Sequence, residues 1–111
     1  MKIAIIGSRG ITAPNIEKYI SYGDEIISGG AAGVDYCAEK TAKEKGLKLK
    51  LFLPNYERYG RAAPIVRNRE IVDYADKVIA FWDGTSKGTL SVIRYAKKIN
   101  KPCEIIICKT E

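Results

Sequence analysis

Histidine is absent from this 111-residue sequence, and the absence removes several kinds of chemistry. No Ser-His-Asp or Cys-His nucleophile can be assembled, and no histidine-based zinc site. Acid–base work would fall to carboxylates, lysine, tyrosine or bound water. Cysteine is scarce. Cys37, Cys103 and Cys108 are an odd number without metal-ligand spacing, so free thiols in a reducing compartment and no metal site are expected. No run approaches the ~20 apolar residues that span a bilayer. The opening Met1-Lys2-Ile3-Ala4-Ile5-Ile6-Gly7 is a short apolar segment without the small-residue cleavage site of a secretory signal, and it is taken as a first strand. A cytoplasmic chain with no membrane partner is the expectation. Two phosphate fingerprints are also missing: no Gly-x-Gly-x-x-Gly follows that strand, and no Gly-Lys-Ser/Thr occurs anywhere.

What is present fits one domain over residues 1–111. Five apolar runs recur, at Ile3–Gly7, Glu25–Ser28, Leu47–Leu53, Lys77–Trp82 and Cys103–Cys108. Helical patterns separate them, at Asn15–Ile20 (with Thr12 and Pro14 ahead of it), Gly33–Lys45, Ala62–Tyr74 and Gly88–Ile99. In the second of these, Val34, Cys37, Ala38, Thr41 and Ala42 share one face, and Gly46 follows as a stop. Strands alternating with helices of this length predict an α/β fold with a parallel sheet. Three strands are nearly continuous apolar runs, as expected of strands buried on both faces. The third alternates as Leu47, Lys48, Leu49, Lys50, Leu51, which suits an edge strand guarded by lysines. With right-handed crossovers the predicted order is 3-2-1-4-5, in a three-layer Rossmann-like arrangement. Ligands in such sheets bind at the carboxyl ends of the strands, where the order reverses.

The glycines gather at those ends. Of ten, Gly7 and Gly10 follow the first strand, Gly29, Gly30 and Gly33 the second, and Gly84 and Gly88 the fourth. A glycine loop feeding a helix N-terminus can turn its N–H groups toward a phosphate. Any one such loop is equally well a tight turn; three converging on one end of a sheet predict an anion site. Net charge is +6, and four of the six arginines, Arg58, Arg61, Arg67 and Arg69, fall within twelve residues. Guanidinium forks suit phosphate better than lysine point charges. Tyr56 and Tyr59 flank this window and either stack a base or pack their own loop. Asp35, two residues past Gly33, is either a helix-start carboxylate or a ribose-hydroxyl acceptor. Asp83 is either a turn residue or a ligand contact, and Trp82 either core or a stacking platform. The lysines from Lys40 to Lys50 are a solvated face.

Taken together, Gly7-Ser8-Arg9, Ser28-Gly29-Gly30-Ala31-x-Gly33-Val34-Asp35, Arg67-Asn68, Ala75-Asp76-x-x-Ile79-Ala80-Phe81-Trp82-Asp83-Gly84 with Thr85, and Gly88-Thr89 resemble the SLOG superfamily. That superfamily is named for the DNA-processing protein A and the Lonely Guy phosphoribohydrolases, and the nearest likeness is to its small YspA/YpsA-related group. The resemblance spans Met1 to about Cys108 and implies a nucleotide or nucleotide-derived ligand held by these loop residues. Its catalytic members carry Gly-Thr-x-x-Glu and an arginine from an earlier helix. Arg67 matches the arginine and Gly88-Thr89 the Gly-Thr, but the glutamate position is Val92. The resemblance therefore implies binding or sensing ahead of hydrolysis of a nucleoside monophosphate. Arg67 and Asp83 are the candidate catalytic residues should hydrolysis occur, with Asp35 and Glu70 as further carboxylates. Single-stranded nucleic-acid binding is a third reading, disfavoured because 13 acidic residues intersperse the basic ones. A homodimer is expected at this chain length, through the apolar face of Ala62–Tyr74 bearing Ile65, Val66, Ile71 and Val72.

Overall fold

The first strand sets the architecture, because its side chains alternate between two apolar layers. Ala4 and Ile6 enter one buried cluster, Ile3 and Ile5 the other. In the computed structural model, which describes residues 1–11, 14–30 and 33–108, the strands are β1 (Lys2–Gly7), β2 (Glu25–Ser28), β3 (Lys48–Leu51), β4 (Lys77–Trp82) and β5 (Cys103–Ile107). They form one parallel sheet in the order β3-β2-β1-β4-β5. The fold is Rossmann-like, as the sequence predicts, with the lysine-bearing β3 at one edge. No described helix is long and apolar enough to cross a membrane.

Each face of the sheet carries helices. On one, α1 (Val34–Lys45) lays Val34, Ala38 and Ala42 against Ile3, Ile5, Ile79 and Phe81. On the other, α3 (Ala63–Tyr74) and α4 (Lys87–Lys98) lay Ile71, Val72, Val92, Ile93 and Ala96 against Ala4, Ile6, Val78 and Ala80. Burying one such side chain stabilises the fold by about 1.5–3 kcal/mol. Local signals place the helix ends. Gly46 closes α1 at φ 66°, its N–H reaching the carbonyls of Ala42 and Lys43. Pro64 sits in the first turn of α3, where its missing N–H is not needed.

Three elements differ from their sequence patterns. The pattern at Asn15–Ile20 yields only a 3₁₀ turn, Ile16–Tyr19; four residues are too few to propagate an α-helix. Leu47–Leu53 pairs only over Lys48–Leu51, after which Phe52 N–H adds one bond to the Ser28 carbonyl at 2.9 Å and Leu53 swings out. The tyrosine–arginine segment forms a one-turn helix, α2 (Tyr56–Tyr59), whose N-cap Asn55 accepts from Arg58 N–H at 3.1 Å. The apolar face of α3 is largely used internally. Ile71 and Val72 are buried, and Ile65 remains 50% exposed. Thr12 lies outside the described residues.

Candidate functional site

Between the neighbouring carboxyl ends of β1 and β4, at the switch in strand order, lies a cavity of about 450 Å³. Its walls come from the loops after β1, β2 and β4, from the first turns of α1 and α4, and from one face of α3. Ten of the sequence candidates line it: Gly7, Ser8, Arg9, Gly29, Asp35, Arg67, Asn68, Asp83, Gly88 and Thr89. Ser28, Gly30, Gly33, Val34, Gly84 and Thr85 stand outside that lining, and Ala31 lies outside the described residues.

Arg67 is the most constrained of the charged groups. It projects from α3, half-buried, donating through Nη1 to the Gly29 carbonyl at 2.7 Å and through Nε to Asn68 Oδ1 at 2.8 Å. A guanidinium has five N–H donors, so the remainder stay available on the cavity side. Asp35, 7% exposed in the first turn of α1, converges on the same place. A Cβ on Gly29 would lie 2.9 Å from Arg67 Nη1 and 3.1 Å from Asp35 Oδ2. The glycine at this position thus leaves room for both charged groups.

The loop after β4 is held by Asp83. Its Oδ1 accepts from Thr85 N–H at 2.9 Å, Thr85 Oγ1 at 3.2 Å and Ser86 N–H at 2.8 Å. The N–H bonds from Thr85 and Ser86 favour the anion and hold the carboxyl below its ordinary range. Asp83 is therefore a poor proton donor near neutrality, and its turn role is observed directly. Its own N–H donates to Ser8 Oγ at 3.3 Å, linking the loops after β1 and β4. Beyond it, α4 begins with Lys87, Gly88 and Thr89, and the N–H groups of a first helical turn have no intrahelical acceptor. A Cβ on Gly88 would meet nothing within 4 Å, so the approach to that helix end is open. Trp82 is half-buried, and its Nε1–H donates to the Ser86 carbonyl at 3.0 Å, bracing the same turn.

Other glycines serve the fold. A Cβ on Gly7 would come within 2.6 Å of the Phe81 carbonyl and of Val34 Cγ2, and one on Gly33, at φ 73°, within 2.6 Å of the Arg9 carbonyl. Gly30, at φ 74°, faces Leu53. Ser28 is fully buried, its hydroxyl spanning the Asp35 carbonyl and the Gly30 N–H, each at 3.4 Å. It clamps the loop. Val34 is core.

Sequence reasoning missed the apolar floor, made by Ile6, Pro64, Ile71 and Val92. It also missed Ser86, whose hydroxyl donates to Thr89 Oγ1 at 3.4 Å. The helical periodicity of α3 was the available signal, since Ile71 lies one turn past Arg67. The two tyrosines and Arg58 of α2, with Arg58 over the Tyr59 ring at 5.3 Å, lie outside the lining, as does Arg61 just after them. Among the described residues no group of three or more His, Cys, Asp or Glu is placed to hold a metal ion. The cavity offers two arginines, two carboxylates, one open helix N-terminus and an aliphatic floor. That set suits a ligand with a phosphate at one end and a less polar ring at the other. Comparison with protein-family models, curated proteins and solved structures returned no match for this chain.

Proposed function

We propose that this chain is a cytoplasmic domain that binds or senses a nucleotide or nucleotide-derived ligand, such as a phosphoribosyl compound or nucleotide sugar, in the cleft between the loops of β1, β2 and β4. The observation that carries the reading is Arg67. It is oriented by Gly29 and Asn68, with further donors facing a cavity that also receives the first turn of α4. Phosphate would sit between the guanidinium and that helix end. Asp35 would take a sugar hydroxyl, and the ring would lie on Ile71 and Val92. The resemblance to the SLOG superfamily supports the same assignment. Mass spectrometry of small molecules released from purified native protein, followed by calorimetry with the compounds found, tests it. Recovery of no phosphorylated ligand, together with no calorimetric response to any mononucleotide at millimolar concentration, refutes it.

A second reading, hydrolysis of a nucleoside monophosphate, is favoured by one observation: buried Asp35 approaches Gly29 beside Arg67, so a carboxylate remains in the cleft although Val92 replaces the expected glutamate. Chromatographic detection of free base separates it from binding alone. Self-association through α3 would use Ile65, and light scattering of wild type against Ile65→Glu tests that.

A further inference from the structure

Residues 84–103 contain five lysines and arginines and no aspartate or glutamate, although acidic residues intersperse the rest of the chain. The fold concentrates this bias. A second cavity, about 510 Å³, runs along the outer side of α4 beside α3, and Arg69, Lys87, Arg94 and Lys98 line it with Leu90 and Tyr95. No carboxylate of a described residue lines it. None of the four cations forms an ion pair with a described residue. The nearby acids are on α3, where Glu70 is exposed and Asp73 accepts the Tyr95 hydroxyl at 2.7 Å. Lys87, Leu90, Arg94 and Lys98 recur at three- and four-residue intervals and so form one stripe of α4, about 16 Å long at 1.5 Å per residue. Arg69 Cζ lies over the Tyr95 ring at 5.4 Å from its centroid, adding a cation–ring contact to the row of charges.

We infer that this groove is a docking surface for single-stranded nucleic acid, separate from the phosphate cleft. A row of unpaired cations follows a phosphate backbone, and aromatic and guanidinium planes set among them accept bases. The groove is concave and offers only half-buried Leu90 as an apolar stripe residue, which does not suit insertion into a flat anionic membrane. The acids that disfavour nucleic-acid binding on composition are not in the groove lining among the described residues.

Fluorescence anisotropy with an end-labelled oligothymidylate 12-mer tests the inference on the full chain. Single-strand binding loses affinity with a log–log salt slope of about −0.7 per phosphate neutralised. Four contacts therefore predict a slope near −2.8, and about a 50-fold loss between 50 and 200 mM salt. Arg94→Gln with Lys98→Gln, both at exposed positions, lowers the slope to about −1.4 and the loss to about sevenfold. Lys98→Gln alone serves if the double variant does not melt like wild type. Lys40→Gln with Lys43→Gln on exposed positions of α1 leaves the slope unchanged. The inference is overturned by no binding at 50 mM salt, by an unchanged slope in the α4 variants, or by equal loss in the α1 variant. It is also overturned if an abasic strand of the same length binds as tightly, or if anionic vesicles retain the protein and the oligonucleotide does not.

Discussion

Gly29→Ala isolates the cleft from the fold. Gly29 is buried, yet its backbone is not in the left-handed region, so alanine is conformationally allowed. The new methyl would lie 2.9 Å from Arg67 Nη1 and 3.1 Å from Asp35 Oδ2. The half-buried Arg67 end has to shift, whereas buried Asp35 at 3.1 Å has to give by only a few tenths of an ångström, so the backbone stays and the Arg67–Gly29 hydrogen bond is displaced. A hydrogen bond to a charged group contributes about 1.5–3 kcal/mol; half exposure of Arg67 reduces that to about 1 kcal/mol here. Replacing glycine returns about 0.4–1 kcal/mol through the unfolded state. The two nearly cancel, so the melting temperature should move by less than about 6 °C. Ligand affinity should not be spared. With the guanidinium displaced, a phosphate loses a charge-assisted bond of about 1.5–3 kcal/mol, or roughly 10- to 150-fold in Kd. Gly33→Ala is the contrasting variant. Its methyl meets the Arg9 backbone carbonyl at 2.6 Å with φ at 73°, and neither can yield cheaply. Overpacking and backbone strain together should cost more than about 2 kcal/mol. Calorimetric melts and nucleotide titrations of the two variants side by side check the reasoning. Gly29→Ala destabilising as much as Gly33→Ala, or binding nucleotide as wild type does, would refute it.

Further outcomes are expected. Arg67→Ala should remain folded, weaken nucleotide binding by about 1.5–3 kcal/mol, and release no free base from nucleoside monophosphates; wild-type turnover abolished by Arg67→Ala would show that some carboxylate supplies what Val92 cannot, with Asp35 and Asp83 the next residues to substitute. Asp83 has a folded-state pKa below its ordinary 3.8, so its contribution is full above that value and is lost as pH falls through the lower folded one. The urea midpoint of wild type should therefore exceed that of Asp83→Asn at neutral pH and approach it as the pH falls through that lowered folded-state value; a gap that does not change with pH contradicts this. Trp82, the one tryptophan, braces the α4 start through Ser86, so ligand binding should shift its emission, and a silent titration with saturating nucleotide would place the ligand elsewhere.

The sheet was readable from the sequence because β1, β2 and β4 are buried on both faces and carry apolar runs at their centres, whereas the lysines of β3 mark an edge. β5 shows where that logic stops. Its run Cys103-Glu104-Ile105-Ile106-Ile107 is nearly as apolar as β1, yet it is the opposite edge, with Ile105 36% and Ile107 65% exposed. Composition separates a guarded edge from a core strand and not an unguarded one. Short elements were harder to read for a different reason. The turn at Ile16–Tyr19 and the single turn of α2 are fixed by tertiary contacts such as the Tyr19–Phe81 ring pair at 5.6 Å and by the Asn55 cap, and neither leaves a periodic signature.

The cleft was legible in location more than in detail, and the glycines show why. Loops that converge on a ligand must also converge on one another. Gly7 lets the end of β1 approach β4 and Val34, and Gly33 lets the start of α1 approach Arg9. These close approaches set the β1 loop beside the first turn of α1. A dense glycine pattern thus marks a place where backbones meet, whether or not phosphate is the reason for any one residue. The discriminating residues lie on the other side of the sheet from α1. Arg67 on α3, steadied by Asn68, reaches the Gly29 carbonyl of the β2 loop 38 positions earlier in the chain, a contact no local motif encodes. Their placement follows from Ile71 and Val72 being buried against β1 and β4, because burial of those two side chains fixes the rotation of α3 and carries Arg67, one turn earlier, to the cavity. Loosening that packing at Val72, which is buried but does not line the cavity, should weaken ligand binding without touching the cleft. Val72→Ala removes two buried carbons at about 0.8 kcal/mol each, before any cavity cost; a folded Val72→Ala variant with weaker nucleotide affinity supports the coupling, and one with affinity raised or unchanged breaks it.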